Sequence, residues 1–144
     1  MSRIEEAISY FKGNFNCTQA VLNTYSNIYG QDSDKALKIA TGFGGGMGGL
    51  GRTCGAVTGA YMVIGLKYGM GVNEDVEAKG KTAQIIRDFT QKFEEINKSV
   101  LCKELLDCDI NILENKGYFN QNELLENRCL KFVKDAIEIL EVLL

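Results

Sequence analysis

The chain has 144 residues and a mass of 15.9 kDa, which suits one domain with a hydrophobic core better than two. It contains no His, no Pro and no Trp, but five Cys. Without an imidazole, Ser-His-Asp and Cys-His catalytic arrangements and His-containing metal sites are excluded. The net charge is −3 with the signs interspersed, so no clustered basic face is available and no nucleic-acid partner is expected.

The N-terminal sequence and the apolar segments indicate a cytoplasmic protein. The opening MSRIEEAISYF carries acidic residues where a secretory signal would carry basic residues before a long apolar run. The longest weakly polar stretch, residues 54–66, contains three Gly and is shorter than the roughly 20 apolar residues that span a bilayer, so no membrane insertion is expected. In a reducing cytosol, the five Cys are core residues, metal ligands or redox-active thiols rather than a disulfide framework.

Three helices are predicted in the first 40 residues. Apolar residues at helical spacing over residues 4–11 predict the first helix, which ends at Gly13. Asn16 is expected to cap a second helix that closes at Gly30. Ser33 is expected to cap a short third helix. The inward face of the second helix is expected to contain Cys17, Ala20, Val21, Thr24, Tyr25 and Ile28.

Residues 42–51 read GFGGGMGGLG, and seven of these ten residues are Gly. Each Gly disfavours a helix or strand by about 0.5–1 kcal/mol relative to Ala, so a loop with unusual dihedral angles or close backbone approach is predicted. Residues 46–51 match the G-x-G-x-x-G string, but a helix precedes them where a dinucleotide fold needs a strand. A tight loop that brings Cys54 close to other backbone is therefore the preferred interpretation, and its N–H groups could stabilise an anion or a thiolate.

The central part of the chain predicts two long helices. Thr53 is expected to cap an apolar, buried helix that ends at Gly69, with Cys54 in its first turn. Gly55 and Gly59 give this helix a strip of small residues on which a neighbouring helix can pack closely. An amphipathic helix capped by Asn73 is expected to run to about residue 97, with inward residues Val76, Ala83, Ile86, Phe89, Phe93 and Ile96.

The last third of the chain predicts a short helix, a loop and a long final helix. Ser99 is expected to begin the short helix, which bears Cys102, and residues 115–117 lie in the loop. Asn122 is expected to begin the final helix, whose apolar face contains Leu125, Cys129, Phe132, Val133, Ala136, Ile137 and Leu140. The sequence therefore predicts a single all-α domain over residues 1–144, a helical bundle of about five main and two short helices, with a glycine-rich loop before a buried central helix.

The positions of the Cys residues separate them into three groups. Cys17, Cys54 and Cys102 lie in predicted first turns, where backbone N–H groups and the helix dipole favour a thiolate. Cys54 has the strongest case, because an Arg precedes it by two residues and the glycine loop makes it approachable. Cys129 lies on an apolar helix face and is a core residue or a partner thiol. Cys108 lies between two Asp, which disfavour a thiolate, so no role is assigned to it.

A metal site is the alternative to dithiol chemistry. Cys17, Cys54, Cys102 and Cys129 are separated by 37, 48 and 27 residues, and none forms a C-x-x-C pair. Four thiolates from dispersed positions could still converge on Zn²⁺ or an iron–sulfur cluster. The paired carboxylates, Glu126 among them, are predicted to lie on solvated helix faces.

The sequence resembles a family of small bacterial and archaeal proteins that is named C_GCAxxG_C_C after its motif. Residues 15–22, FNCTQAVL, resemble the family's first Cys segment, and residues 44–47 leading to TCGAVTGA at 53–60 resemble its glycine-rich centre. Residues 102–106 and 128–129 resemble its third and last Cys segments. The resemblance implies a redox-active protein, and some family members are selenoproteins, which implies redox chemistry at a chalcogen. The four thiols that carry over are Cys17, Cys54, Cys102 and Cys129.

These observations together predict a protein that uses dithiol–disulfide chemistry, a thiol-disulfide oxidoreductase if it turns over. Cys54 is the expected reactive thiolate, and Cys17, Cys102 or Cys129 is its resolving partner. This hypothesis predicts no resident cofactor. In the alternative hypothesis, the four Cys bind Zn²⁺ or an iron–sulfur cluster. A third hypothesis is a helical interaction module with inert Cys. The expected partner is a redox protein or a small-molecule substrate, and the apolar last helix is consistent with a homodimer.

Overall fold

A computed structural model describes residues 1–107 and 123–144, and within these ranges the chain is all-α and has no strand. The predicted fold class is confirmed. The helices are α1 (Arg3–Lys12), α2 (Cys17–Ser26), α3 (Ser33–Ala40), α4 (Gly55–Tyr68), α5 (Glu77–Asn97), α6 (Cys102–Leu106) and α7 (Glu123–Leu143), with a 3₁₀ turn at Thr41–Phe43. Cys108, the loop at residues 115–117 and the helix start at Asn122 lie outside the described residues.

The first helices begin where side chains satisfy their free N–H groups. Asn16 caps α2 as predicted: its side chain accepts from the Gln19 N–H, and the Gln19 side chain accepts from the Asn16 N–H, both at 2.9 Å. The cap of α3 is Asp32 rather than Ser33, because the Asp32 carboxylate accepts from the Lys35 N–H. The α2 helix ends at Ser26 rather than near residue 30, and Ile28 is 51% exposed rather than inward.

Three other predicted helix starts are also wrong, and one of them is the start of α6, which begins at Cys102 rather than at Ser99. The N-cap of α4 is Cys54 rather than Thr53, because Thr53 forms an antiparallel bridge with Leu101. The α5 helix begins at Glu77 rather than after Asn73. Residues 72–76 form a turn in which the apolar side chains face solvent, so no buried face supports an additional helical turn.

Helix α4 lies at the centre and contacts α2, α5 and α7. Its side chains Val57, Ala60, Val63 and Ile64 are fully buried, which confirms the predicted central helix. Around it, α2 also contacts α1, α3 and α7. No helix in the described ranges is long and apolar enough to cross a membrane. The cytoplasmic location and the homodimer stay predictions.

Candidate redox site

Four cysteines from four different parts of the chain line one cavity of about 390 Å³. Cys17 begins α2, Cys54 is the N-cap of α4, Cys102 begins α6 and Cys129 lies within α7. The glycine loop and several aromatic and aliphatic side chains complete the wall. Cys17, Cys54 and Cys129 are present as thiols. The structure therefore brings together the four positions that the sequence singled out.

Close packing of α2 on α4 places Cys17 next to the start of α4. A Cβ atom at Gly55 would lie 2.7 Å from the Thr18 Oγ1 and 3.1 Å from the Cys17 Cβ. One turn later, a Cβ atom at Gly59 would lie 2.9 Å from the carbonyl oxygen of Thr18. The predicted strip of small residues is thus the contact surface for α2. Because neither glycine has a side chain, the two backbones approach closely and the Cys17 side chain reaches the cavity from beside Gly55.

The glycine loop and a short backbone pairing hold Cys54 and Cys102 side by side. The Cys54 N–H donates to the Val100 carbonyl at 2.7 Å, and the Cys102 N–H donates to the Arg52 carbonyl at 2.6 Å. Gly46 lies against this pairing in a left-handed conformation, with φ of +70°. A Cβ atom there would lie 2.7 Å from the Cys102 Cβ. The loop thus packs against the backbone of Arg52, two residues before Cys54, and it also positions Cys102.

Helix α7 supplies the last thiol and a carboxylate. Cys129 is buried on the apolar face, as predicted, and the guanidinium of Arg128 donates to the Leu106 carbonyl at 3.0 Å, which ties α7 to α6. Glu126 lines the cavity one turn before Cys129. The prediction that Glu126 lies on a solvated face is therefore wrong. Residues three apart on a helix lie on the same face, so Glu126 lies on the buried face that carries Cys129. This spacing is the feature of the sequence that could have indicated its position.

Burial and the neighbouring thiols raise the pKa of Cys17 and of Cys54. The hydrogen-bonding contact with the Cys129 thiol raises the pKa of Cys17 well above its ordinary value, and burial and the neighbouring thiols of Cys54 and Cys102 raise it further. Burial likewise raises the pKa of Cys54 to about 12. The Cys17 thiol therefore lies near enough to the other three thiols to interact with them electrostatically, and most strongly with that of Cys129.

The expected activation of Cys54 by the start of α4 is present but is outweighed. The N–H groups of Ala56 and Val57 lower the pKa of the Cys54 thiol, although neither reaches the geometry of a full hydrogen bond. The cost of burying a thiolate is larger, so the net pKa rises. Arg52, which was expected to assist, is exposed and does not line the cavity. The prediction that Cys54 is a ready thiolate is not met in this dithiol state.

The donor atoms at the cavity are suited to soft metals. Four sulfur ligands without nitrogen are the set that Zn²⁺ and iron–sulfur clusters take. Within residues 1–107 and 123–144, however, no three Cys, Asp or Glu side chains are grouped closely enough to hold a single metal ion. The thiols are thus gathered at one cavity but are not arranged as a compact single-ion site.

The fold and the cavity define an all-α protein with a four-thiol site. The chain belongs to the C_GCAxxG_C_C family: the family model described as "Putative redox-active protein (C_GCAxxG_C_C)" matches residues 15–143. This match confirms the resemblance seen in the sequence, and the family's description assigns it a redox role. No curated protein and no solved structure matches the chain.

Proposed function

We propose that the cavity is a dithiol–disulfide exchange site in which Cys17 and Cys129 form the disulfide. The observation that supports this pair is that both line one cavity and that the Cys129 thiol is the largest influence on the pKa of Cys17. Helices α2 and α7 also contact each other directly. Two thiols on helices that already pack together can reach the S–S bond length of about 2.0 Å by a local adjustment of the two helices.

The raised pKa of Cys17 also bears on the order of attack. Because its interaction with Cys129 and its burial raise the pKa of Cys17, Cys17 is the thiol that retains its proton. We therefore assign the attacking role to Cys129 and the resolving role to Cys17. Cys54 was the expected attacking thiol, but burial raises its pKa to about 12, so this assignment does not make it the nucleophile.

The exchange balances with a small disulfide as the oxidant. The Cys129 sulfur attacks one sulfur of R–S–S–R, the S–S bond breaks, and one thiol R–SH leaves with the proton that Cys129 released. The Cys17 sulfur then attacks the Cys129 sulfur of the mixed disulfide, and the second R–SH leaves with the proton from Cys17. Two protein thiols are oxidised to one disulfide, and R–S–S–R is reduced to two thiols. The reverse sequence reduces the protein.

Alkylation mapping tests this pairing. The reduced protein is treated with 2-hydroxyethyl disulfide, quenched with N-ethylmaleimide and analysed by mass spectrometry. We expect protection of Cys17 and Cys129 together, a peptide cross-link between them, and full recovery of both sites after dithiothreitol. Cys17→Ser and Cys129→Ser should each abolish the cross-link, whereas the matched variant Cys54→Ser should retain it. Identical alkylation of every thiol with and without oxidant would contradict the proposal.

A second candidate function follows from the convergence of all four thiols on one cavity. In this alternative, the four Cys hold Zn²⁺ or an iron–sulfur cluster and the protein binds the metal without turnover. Metal analysis and an absorption spectrum of anaerobically purified protein separate the two functions. A metal retained in stoichiometric amount would favour the binding function, and metal-free protein that undergoes the reversible cross-link would favour dithiol exchange.

A further inference from the structure

We infer that the cavity accepts small disulfides that are neutral or positively charged. It rejects anionic disulfides and the disulfides of folded proteins. Glu126 sets the preference for charge. This inference rests on the proposed dithiol function and adds the class of substrate. It has two independent supports, the burial of the sulfur atoms and the charge of the cavity wall.

Burial of the thiols limits the size of the substrate. Cys129, the proposed attacking thiol, is only 6% exposed, and Cys54 and Cys102 are 4% and 7% exposed, whereas Cys17 is partly exposed. The cavity of about 390 Å³ is at the small end of the range for ligand pockets. Exchange requires the attacking sulfur, the attacked sulfur and the leaving sulfur to meet, so the whole disulfide must enter the cavity. A short disulfide with two-carbon arms can do so, whereas a disulfide anchored in a folded protein cannot.

The wall of the cavity carries a single charged side chain among the residues that the structure describes. The remaining lining groups are thiols, apolar side chains, uncharged polar side chains such as Asn14 and Thr41, and the glycine backbone. Glu126 is half-buried, so its carboxylate faces the cavity and remains in contact with water. It forms no hydrogen bond or ion pair with any described residue. Its charge is therefore not neutralised locally by this part of the chain.

The carboxylate is close to the proposed nucleophile. Residues three apart on a helix lie on one face with Cβ atoms about 5–6 Å apart, which places Glu126 beside Cys129. At this range, in a partly desolvated site, a substrate ammonium group is attracted and a substrate carboxylate is repelled. Glu126 therefore discriminates between substrates of equal size by charge.

The positive ends of the helices at the cavity do not cancel this preference. At the start of α2, the Gln19 N–H is taken by the Asn16 side chain. At the start of α4, the N–H groups of Ala56 and Val57 act on the Cys54 sulfur. These N–H groups thus interact with side chains of the protein itself, whereas the carboxylate of Glu126 has no such partner among the described residues and can interact with a substrate.

Three small disulfides and one protein test the inference. The probes are cystamine, which is cationic, 2-hydroxyethyl disulfide, which is neutral, dithiodiglycolate, which is anionic, and insulin, whose disulfides belong to a folded protein. The rate of Cys17–Cys129 disulfide formation with each probe is divided by the rate of the same probe with 2-mercaptoethanol, which removes intrinsic reactivity. We expect cystamine to exceed dithiodiglycolate by about tenfold or more in this normalised rate, and insulin to be inactive.

Variants assign the discrimination to one residue. Glu126→Gln should reduce the ratio of cystamine to dithiodiglycolate to within about twofold of unity, and Glu126→Asp should retain most of it. Glu138→Gln, an exposed change on the same helix, is the matched control and should leave the ratio unchanged. Equal normalised rates for all three small probes, a Gln variant that still discriminates, or rapid reaction with insulin would overturn the inference while leaving the dithiol function intact. Failure of every small disulfide to form the cross-link would instead overturn the proposed function.

Discussion

Helix α4 has two packing surfaces of opposite character. Against α2 it presents glycines, and a Cβ atom at Gly59 would lie 2.9 Å from a backbone oxygen and 3.0 Å from the Val21 Cβ. Against α5 it presents an aromatic ring: Tyr61 and Phe89 meet edge to face at 5.9 Å. The glycine surface fixes the separation of two backbones, and with it the approach of Cys17 to Cys54. The aromatic surface buries large side chains and stabilises the fold, and neither Tyr61 nor Phe89 lines the cavity.

The largest expected effect is on the aromatic side. Phe93 is fully buried and lies 6.1 Å from Phe89 and 6.2 Å from Phe132, measured between ring centroids. Phe93→Ala should lower the free energy of unfolding by about 3–5 kcal/mol, because it removes a buried ring and leaves a cavity. Chemical denaturation measures this loss.

A variant of the same helix provides the control for this prediction. Ile96 is 51% exposed, so Ile96→Ala should change the free energy of unfolding by no more than about 0.5 kcal/mol. In the folded fraction of the Phe93→Ala protein, the cross-link between Cys17 and Cys129 should still form. Its loss from folded protein would show that the aromatic surface also positions the thiols, and the contrast between the two surfaces would fail.

The glycine side should give a smaller loss of stability and a larger change at the site. Gly59→Ala places a methyl group against the backbone of α2, and the clash is relieved only if the whole helix shifts away. We therefore expect a loss of about 1–3 kcal/mol and faster alkylation of Cys17. Gly65→Ala on the same helix meets nothing within 4 Å and should instead stabilise by about 0.5–1 kcal/mol, with no change in alkylation. Equal effects at the two positions would mean that close backbone approach does not control the site.

The same contrast explains what could be predicted from the sequence. The helices, the cap at Asn16 and the glycine strip depend on residues near one another in the chain, and these local signals were sufficient. Convergence of the four thiols on one cavity depends on tertiary packing, which spacings of 37, 48 and 27 residues do not encode. The bridge between Thr53 and Leu101 pairs one residue with one residue, so it leaves no pattern of alternation to detect.

The charge state of Cys54 was missed for a related reason. Position at a helix start is visible in the sequence and favours a thiolate, but burial is a property of the folded chain and disfavours it. The structure shows both effects on one atom, and burial is the larger. Helix position alone therefore predicts the direction of only one contribution to the pKa of a thiol.

The smallest predicted effect tests this balance through pH. Burial raises the pKa of Cys54 from its ordinary value of 9.0 to about 12 in the folded protein. Below pH 9 the folded and unfolded chains therefore both carry the thiol, and its contribution to stability is complete there. Above pH 9, the unfolded chain loses the proton first, and this contribution declines until the folded thiol also ionises. Under reducing conditions, the difference in free energy of unfolding between the natural protein and Cys54→Ala should shift against the natural protein by about 1 kcal/mol between pH 9 and pH 10. Tyrosine and lysine titrations are common to both proteins and cancel in this difference. A difference that stays constant over this interval would mean that the N–H groups of α4 compensate for burial, and Cys54 would again be a candidate for the attacking thiol.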